Sequence, residues 1–307
     1  MTALGLKPKE RHRRRSLERA DYKYGYLLIM PMLIGFTIFV LIPIIATIVL
    51  SLFDYNLLRG MRFVGVKNYV QMFTNDPTFL KTAGNTLYFT VLLVPLNMIL
   101  CLGLAILLQK NMRGIGFFRT VIFTPYVTSV VSWALVWKFM LQTDSGFLNI
   151  FLRLLGITGP NWLYTEALAI PVVVVVTLLK GFGMNTIIFI SALKDVPDMY
   201  YEAAALDGAN GWQQFRRITL PMITPTIFLI IIITMIGSLK VFAQINVLTQ
   251  GGPGTSTYVF VYYIYQSAFK LMKYGYASAI SVVLFVLIML LTLLQWQTRK
   301  RWVHYEA

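Results

Sequence analysis

Six apolar stretches, 26–53, 85–108, 119–141, 168–193, 222–247 and 274–298, dominate this chain, and each is long enough to cross a bilayer. A helix needs roughly 20 apolar residues to span about 30 Å of hydrocarbon, and it must satisfy its own backbone hydrogen bonds there. Composition agrees. Only 13% of the 307 residues are charged and 57% are hydrophobic, whereas soluble domains carry roughly a quarter charged residues. The reading is an all-α polytopic membrane protein with a basic N-terminal tail (1–25), one six-helix transmembrane domain (26–298) and a short C-terminal tail (299–307). The first apolar stretch outruns the roughly 7–15 residues of a signal-peptide core, and no small-residue cleavage site follows it, so it reads as a retained span.

The fourth and fifth stretches are the least clean. Lys180, Gly181, Gly183 and Asn185 interrupt one, and Ser238, Lys240, Gln244 and Asn246 the other.

Lys and Arg set the expected orientation. The N-terminal tail holds Lys7, Lys9, Arg11, Arg13, Arg14, Arg15, Arg19 and Lys23. The second loop (Lys110, Arg113, Arg119), the fourth loop (Lys194, Arg216, Arg217) and the C-terminal tail (Arg299, Lys300, Arg301) fall on the same side. The opposite loops hold only Arg59, Arg62, Lys67, Lys81, Arg153, Lys270 and Lys273. Both termini are therefore expected in the cytoplasm, with the basic run 11–15 set against anionic lipid.

Several function classes drop out. The net charge of +15 does not mark a nucleic-acid binder, because the bases flank apolar segments instead of forming a soluble basic face. Cys101 is the single cysteine and lies in an apolar run, as a small buried hydrophobe does. The two histidines, His12 and His304, are in the tails, which leaves no histidine-based intramembrane active site and no candidate metal site. All twelve acidic residues lie in tails, loops or, for Asp54, at the end of a span. Ion-coupled carriers commonly rely on buried carboxylates. No GxxxxGK[ST] phosphate loop occurs, so ATP, if it is the energy source, binds elsewhere.

The fourth loop, 194–221, is long for its side and is organised. Pro197 suits a first helical turn, Asp195 and Asp198 suit the positive end of the helix dipole, and Glu202-Ala203-Ala204-Ala205 favours helix. Asp207-Gly208 breaks that helix, and a second short one runs through Trp212 and Phe215 to Ile218-Thr219-Leu220-Pro221. The spacing of Glu202, Ala203, Ala204, Gly208, Ile218, Leu220 and Pro221 resembles the signature loop of permeases in binding-protein-dependent ATP-binding cassette importers, the type I fold. The resemblance implies that the loop couples to an ATPase subunit. Glu202 would pair with a basic residue there, the small alanines would permit close approach, and Gly208 would permit the turn. It further implies a second six-span permease, two ATPase subunits carrying ATP and Mg, and an extracytoplasmic binding protein, all at a prokaryotic inner membrane. On that reading the chain has no catalytic residue and no cofactor of its own.

A second resemblance concerns cargo. The stretch 248–257, with Gly251-Gly252-Pro253-Gly254, followed by aromatics and by 274–279, is similar to the outer loop and last span of the carbohydrate branch, which includes maltose and glycerol 3-phosphate permeases. Lys180, mid-span beside Gly181 and Asn185, is the leading candidate for a pathway residue, since a mid-membrane lysine costs roughly 2.5–3.5 kcal/mol to insert. Lys138 and Lys240 lie nearer span ends and are expected to snorkel. Ser238, Phe242 and Ile245 are expected on one helical face, a hydroxyl and an aromatic ring suited to sugar. In the resembled family spans three, four and five supply the sugar site, and the resemblance therefore implies Tyr126, Thr177, Met184 and Ser238 from their positions relative to the signature loop. Trp133 and Trp137 fit either sugar stacking or interfacial anchoring. An importer of non-sugar cargo and a secondary carrier remain the alternatives.

Overall fold

The computed structural model describes residues 24–56, 60–110 and 113–301. The tails read from sequence, up to residue 23 and from residue 302, lie outside the described residues, as does Arg59. Helix α1 (Tyr24–Leu50) is apolar on every side. It widens into a π turn at Thr37–Leu41. The cause is Pro43, which has no N–H to donate and crowds the carbonyl four residues back. The helix stops at Leu50, three residues short of expectation. Strand β1 (Phe53–Asn56) then pairs antiparallel with β2 (Gly60–Phe63), Phe53 opposite Phe63. Asn68, on the short helix α2 (Lys67–Thr74), locks this hairpin by donating to the carbonyls of Ser51 at 2.8 Å and Phe53 at 2.9 Å.

Helix α3 (Pro77–Leu108) begins eight residues before the stretch read from hydropathy. Its 32 residues make it about 48 Å long at 1.5 Å per residue, so it stands proud of the hydrocarbon. Hydropathy missed the extra turns because their signal is a cap: Asp76 accepts from the Phe79 N–H at 3.1 Å, with Pro77 at the first helical position. Asp76 also accepts the hydroxyls of Tyr263 and Tyr276, tying the end of α3 to the last third of the chain. Burial and then the bond to the Asp76 carboxylate push the Tyr263 phenol above its ordinary pKa.

The third span is not one helix. Helix α4 (Ile115–Val127) and α5 (Val130–Met140) meet at 100°. Thr128 and Ser129 are extended between them, and the Thr128 hydroxyl donates to the Pro125 carbonyl at 2.7 Å. A side chain that bonds backbone locally offers the chain an alternative to helix, and here it ends one. After the short amphipathic helix α6 (Phe147–Leu154), helix α7 (Glu166–Lys194) forms the centre of the molecule, packed against α3, α4 and α5. It runs unbroken through Gly181 and Gly183, contrary to the expected interruption. Gly183 serves close packing instead: a Cβ there would sit 2.1 Å from the carbonyl oxygen of Ile122 on α4.

Two short helices follow, α8 (Asp198–Leu206) and α9 (Gly211–Met222). Next comes the fifth span, α10 (Thr224–Leu239), bent 65° from α9. Pro197 is the N-cap residue, one position earlier than its expected place in the first turn. The expected span 222–247 is interrupted. Leu239 ends α10, and α11 (Ala243–Leu248) starts after Phe242, whose φ −142°, ψ −58° leave the helical conformation. The loop 248–257 is folded inward, held by a Thr249–Thr257 hydroxyl pair at 2.7 Å and by Asn85 donating to the carbonyls of Thr255 and Tyr258. Gly251 has φ +83° and lies where a Cβ would meet the rings of Tyr258 and Tyr262. Helix α12 (Phe260–Tyr265) ends in a π turn, and α13 (Tyr274–Thr298) closes the fold beside α1. Among the described residues four helices are long and apolar enough to cross a membrane, and the two bent pairs bring the number to six. Apart from the hairpin, the fold is all-α, as the sequence analysis expects.

Candidate functional sites: the helical knob and the central cavity

The loop between the fourth and fifth spans forms a knob of two helices. Asp198 opens α8, and Glu202 and Ala203 are exposed on it, with Ala204 half-buried. Asp207 ends α8, and Gly208 makes the turn at φ +76°, a left-handed conformation that side chains resist. Asn210 and Gln213 then start α9 with a reciprocal capping box, each side chain bonded to the other's backbone N–H. Ile218 and Leu220 are half-buried, and Ile218 packs on the cluster that joins α3, α7 and α10. Pro221 sits in the last turn of α9, and a π turn at Phe215–Thr219 precedes it as one precedes Pro43. The Tyr201 hydroxyl meets that of Thr219 at 2.8 Å and ties α8 to α9. The outer face of the knob is strongly apolar for an exposed surface: Leu206 is 90% exposed, Trp212 68% and Met199 67%. Behind it, a cleft of about 960 Å³ separates the knob from the ends of α3 and α7.

A second cavity, of about 470 Å³, lies among α3, α4, α7 and α10. Seven of the eight pathway residues read from sequence line it: Tyr126, Thr177, Lys180, Gly181, Met184, Asn185 and Ser238. The Lys180 ammonium donates to the carbonyls of Pro125 at 2.8 Å and Tyr126 at 2.7 Å, and lies 5.7 Å from the centre of the Tyr126 ring. Those carbonyls belong to the last turn of α4, whose final four have no helical partner. The irregular backbone that Lys180 uses is thus supplied by span three, across the cavity, and not by its own helix. Asn185 donates to the side-chain oxygen of Asn97 at 2.9 Å.

Phe242 is the exception. The break after Leu239 turns it out of the cavity, and it packs instead on Tyr262 and Tyr265 at ring distances of 6.3 and 5.2 Å. Ser238, Phe242 and Ile245 therefore share no helical face, because no single helix carries them. Ser238 lines the cavity with its hydroxyl committed, donating to the Met235 carbonyl at 2.7 Å and meeting the Thr90 hydroxyl at 2.9 Å.

The family of binding-protein-dependent transport system inner membrane components matches residues 98–302, which include the knob and the cavity lining from Tyr126 onward. The chain belongs to that family. It is a multi-pass membrane protein and the permease subunit of an importer. Over 290 residues it is 34% identical to the lactose transport system permease protein LacF of Rhizobium radiobacter, covering 92% of this chain and 96% of the relative. Over 278 residues it is 32% identical to the trehalose/maltose transport system permease protein MalF of Thermococcus litoralis, covering 90% and 94%. A solved bacterial alginate ABC transporter, in complex with an alginate pentasaccharide-bound periplasmic protein, superposes with a TM-score of 0.81 at 25% identity, over 94% of this chain and 96% of that one.

Sequence reasoning missed four polar or small positions of the permease cavity: Asn97, Thr234, Gly237 and Gln244. Asn97 carried a signal, since an amide inside an apolar run needs a partner. Thr234 and Gly237 gave none, because small residues are ordinary in membrane helices. Trp133 and Trp137 are half-buried packing residues of the core, and the Trp133 indole donates to the Val176 carbonyl at 2.9 Å. Cys101 is fully buried, as expected, with its thiol against the Phe182 carbonyl.

Proposed function

We propose that this permease forms half of the translocation pathway for a sugar or oligosaccharide in an ATP-driven importer. The observation that carries the reading is the convergence of Tyr126, Thr177, Lys180, Gly181, Met184, Asn185 and Ser238 on one cavity, while Glu202 and Ala203 stay exposed on the knob beyond the spans. The named relatives that carry lactose, and trehalose or maltose, support the carbohydrate cargo. A cavity edged by amides, hydroxyls and one aromatic ring suits a ligand with apolar ring faces and many hydroxyls.

In this scheme Glu202, Ala203, Ala204, Gly208, Ile218, Leu220 and Pro221 build the element that docks on an ATPase subunit. Two ATPases bind ATP and Mg and close on each other. The knob carries that closure to α10 through the bend at Ile223, and the paired permeases switch which side of the membrane the cavity faces. A second six-span permease completes the pathway, and an extracytoplasmic binding protein delivers cargo. Both termini lie in the cytoplasm of a prokaryotic cell, with the spans in its inner membrane.

The test is affinity purification of the chain from its native membrane, with the co-purifying polypeptides identified. Recovery of an ATPase and a second permease is expected, and recovery of the chain alone after gentle solubilisation overturns the scheme. Glu202→Lys should reduce ATPase recovery while membrane insertion persists. Unchanged recovery would refute the docking role.

A further inference from the structure

We infer that the cargo passing this cavity is an anionic carbohydrate, one bearing a carboxylate or a phosphate ester, and that Lys180 recognises the anionic group. The inference rests on the carbohydrate reading above and narrows it. Lys180 is the one charged side chain among the described residues that line the cavity. No carboxylate among the described residues pairs with it: their one ion pair joins Lys81 to Glu166.

The ammonium has three N–H donors. Two are held by the carbonyls of Pro125 and Tyr126. Carbonyl dipoles stabilise the charge without cancelling it, so one donor and a full positive charge are left at the cavity. Capping α4 does not by itself explain a lysine. The Thr128 hydroxyl already bonds Pro125, and capping needs only a neutral donor, which would not carry the roughly 2.5–3.5 kcal/mol insertion cost of a mid-span cation. A charge kept in such a place marks a pathway for its opposite.

The neighbouring groups fit the rest of such a cargo. Thr234 has a buried hydroxyl with no hydrogen-bond partner among the described residues. Asn97 and Asn185, bonded to each other by one contact, each retain a second polar atom for sugar hydroxyls. The Tyr126 ring stands beside the ammonium and offers a face to a sugar ring.

The experiment uses the complete purified importer without nucleotide and measures equilibrium binding of radiolabelled digalacturonate, glucose 6-phosphate and maltose. At least one anionic probe should bind about tenfold more tightly than maltose, corresponding to about 1.4 kcal/mol, and the preference should weaken as salt rises. Preference for digalacturonate identifies the carboxylate as the ligand, and preference for glucose 6-phosphate the phosphate. Lys180→Gln should abolish the preference and Lys180→Arg should keep it. Thr177→Glu, one turn earlier on the same helix face, places a carboxylate beside an intact lysine and should abolish it too, which covers the case in which Lys180→Gln fails to fold. Maltose binding as tight as that of both anions overturns the inference and leaves the carbohydrate reading standing. A preference unchanged in Lys180→Gln also overturns it, and makes the lysine a helix cap only. Failure of an ATPase-containing complex to bind any of the three overturns both this inference and the carbohydrate cargo, but not the importer.

Discussion

Replacing Gly183 by alanine tests the packing that builds the cavity. The added Cβ would lie 2.1 Å from the Ile122 carbonyl oxygen, 2.8 Å from its carbon and 3.0 Å from the Phe123 Cα, all of them backbone. Ordinary contact begins at 3.4 Å, so α4 and α7 must part by about 1.3 Å. Overpacking of this kind costs about 1–3 kcal/mol, and rigid backbone neighbours place it near the upper end. Alanine returns about 1 kcal/mol in helix propensity, which leaves a loss of about 2 kcal/mol. The same displacement would stretch the Lys180 bonds from 2.8 and 2.7 Å to about 4 Å, beyond hydrogen-bond range. Gly181 is the control, since its Cβ meets nothing within 4 Å. Gly181→Ala should be neutral or more stable by up to about 1 kcal/mol. Thermal unfolding of the detergent-solubilised complex, followed by uptake in proteoliposomes, separates the two. The midpoint and the uptake should both fall in Gly183→Ala, and the midpoint should not fall in Gly181→Ala. Equal midpoints would refute the described contact between α4 and α7.

Gly208→Val forces a β-branched residue to φ +76° and should destabilise the knob by about 1–2 kcal/mol, lowering ATPase recovery while the protein still inserts. Asp76→Ala removes the cap of α3 and the acceptor of two tyrosine hydroxyls, and about 3 kcal/mol should be lost in the unfolding midpoint. Asp76→Asn, which keeps an acceptor for the Phe79 N–H, should lose less; equal losses would show that the cap contributes nothing. Lys180→Leu should change transport far more than Lys240→Leu, because Lys240 is exposed at the end of α10. Equal effects would remove Lys180 from the pathway.

Hydropathy alone located the six spans, because length and apolarity in lipid are local requirements that no tertiary contact relaxes. The knob was legible for the same reason: helix formers, a cap and a glycine at fixed spacing act within a few residues, and Gly208 takes the left-handed turn its position implied. A mid-span cation with its polar neighbours, and the family resemblance read in register with the signature loop, together named seven lining residues of the cavity. What hydropathy could not show is which way an apolar helix faces, since lipid and protein neighbours both favour apolar side chains. Polar residues do fall at the 100° break (Thr128-Ser129) and before the turn at Phe242 (Lys240), but polarity alone does not say which way the chain turns there. Only the tertiary structure sent Phe242 toward Tyr262 and Tyr265 and set Gly183 against Ile122. Only it brought the freed carbonyls of α4 to Lys180, 54 and 55 residues away. A partner that distant is chosen by how helices pack, and local sequence holds no record of it.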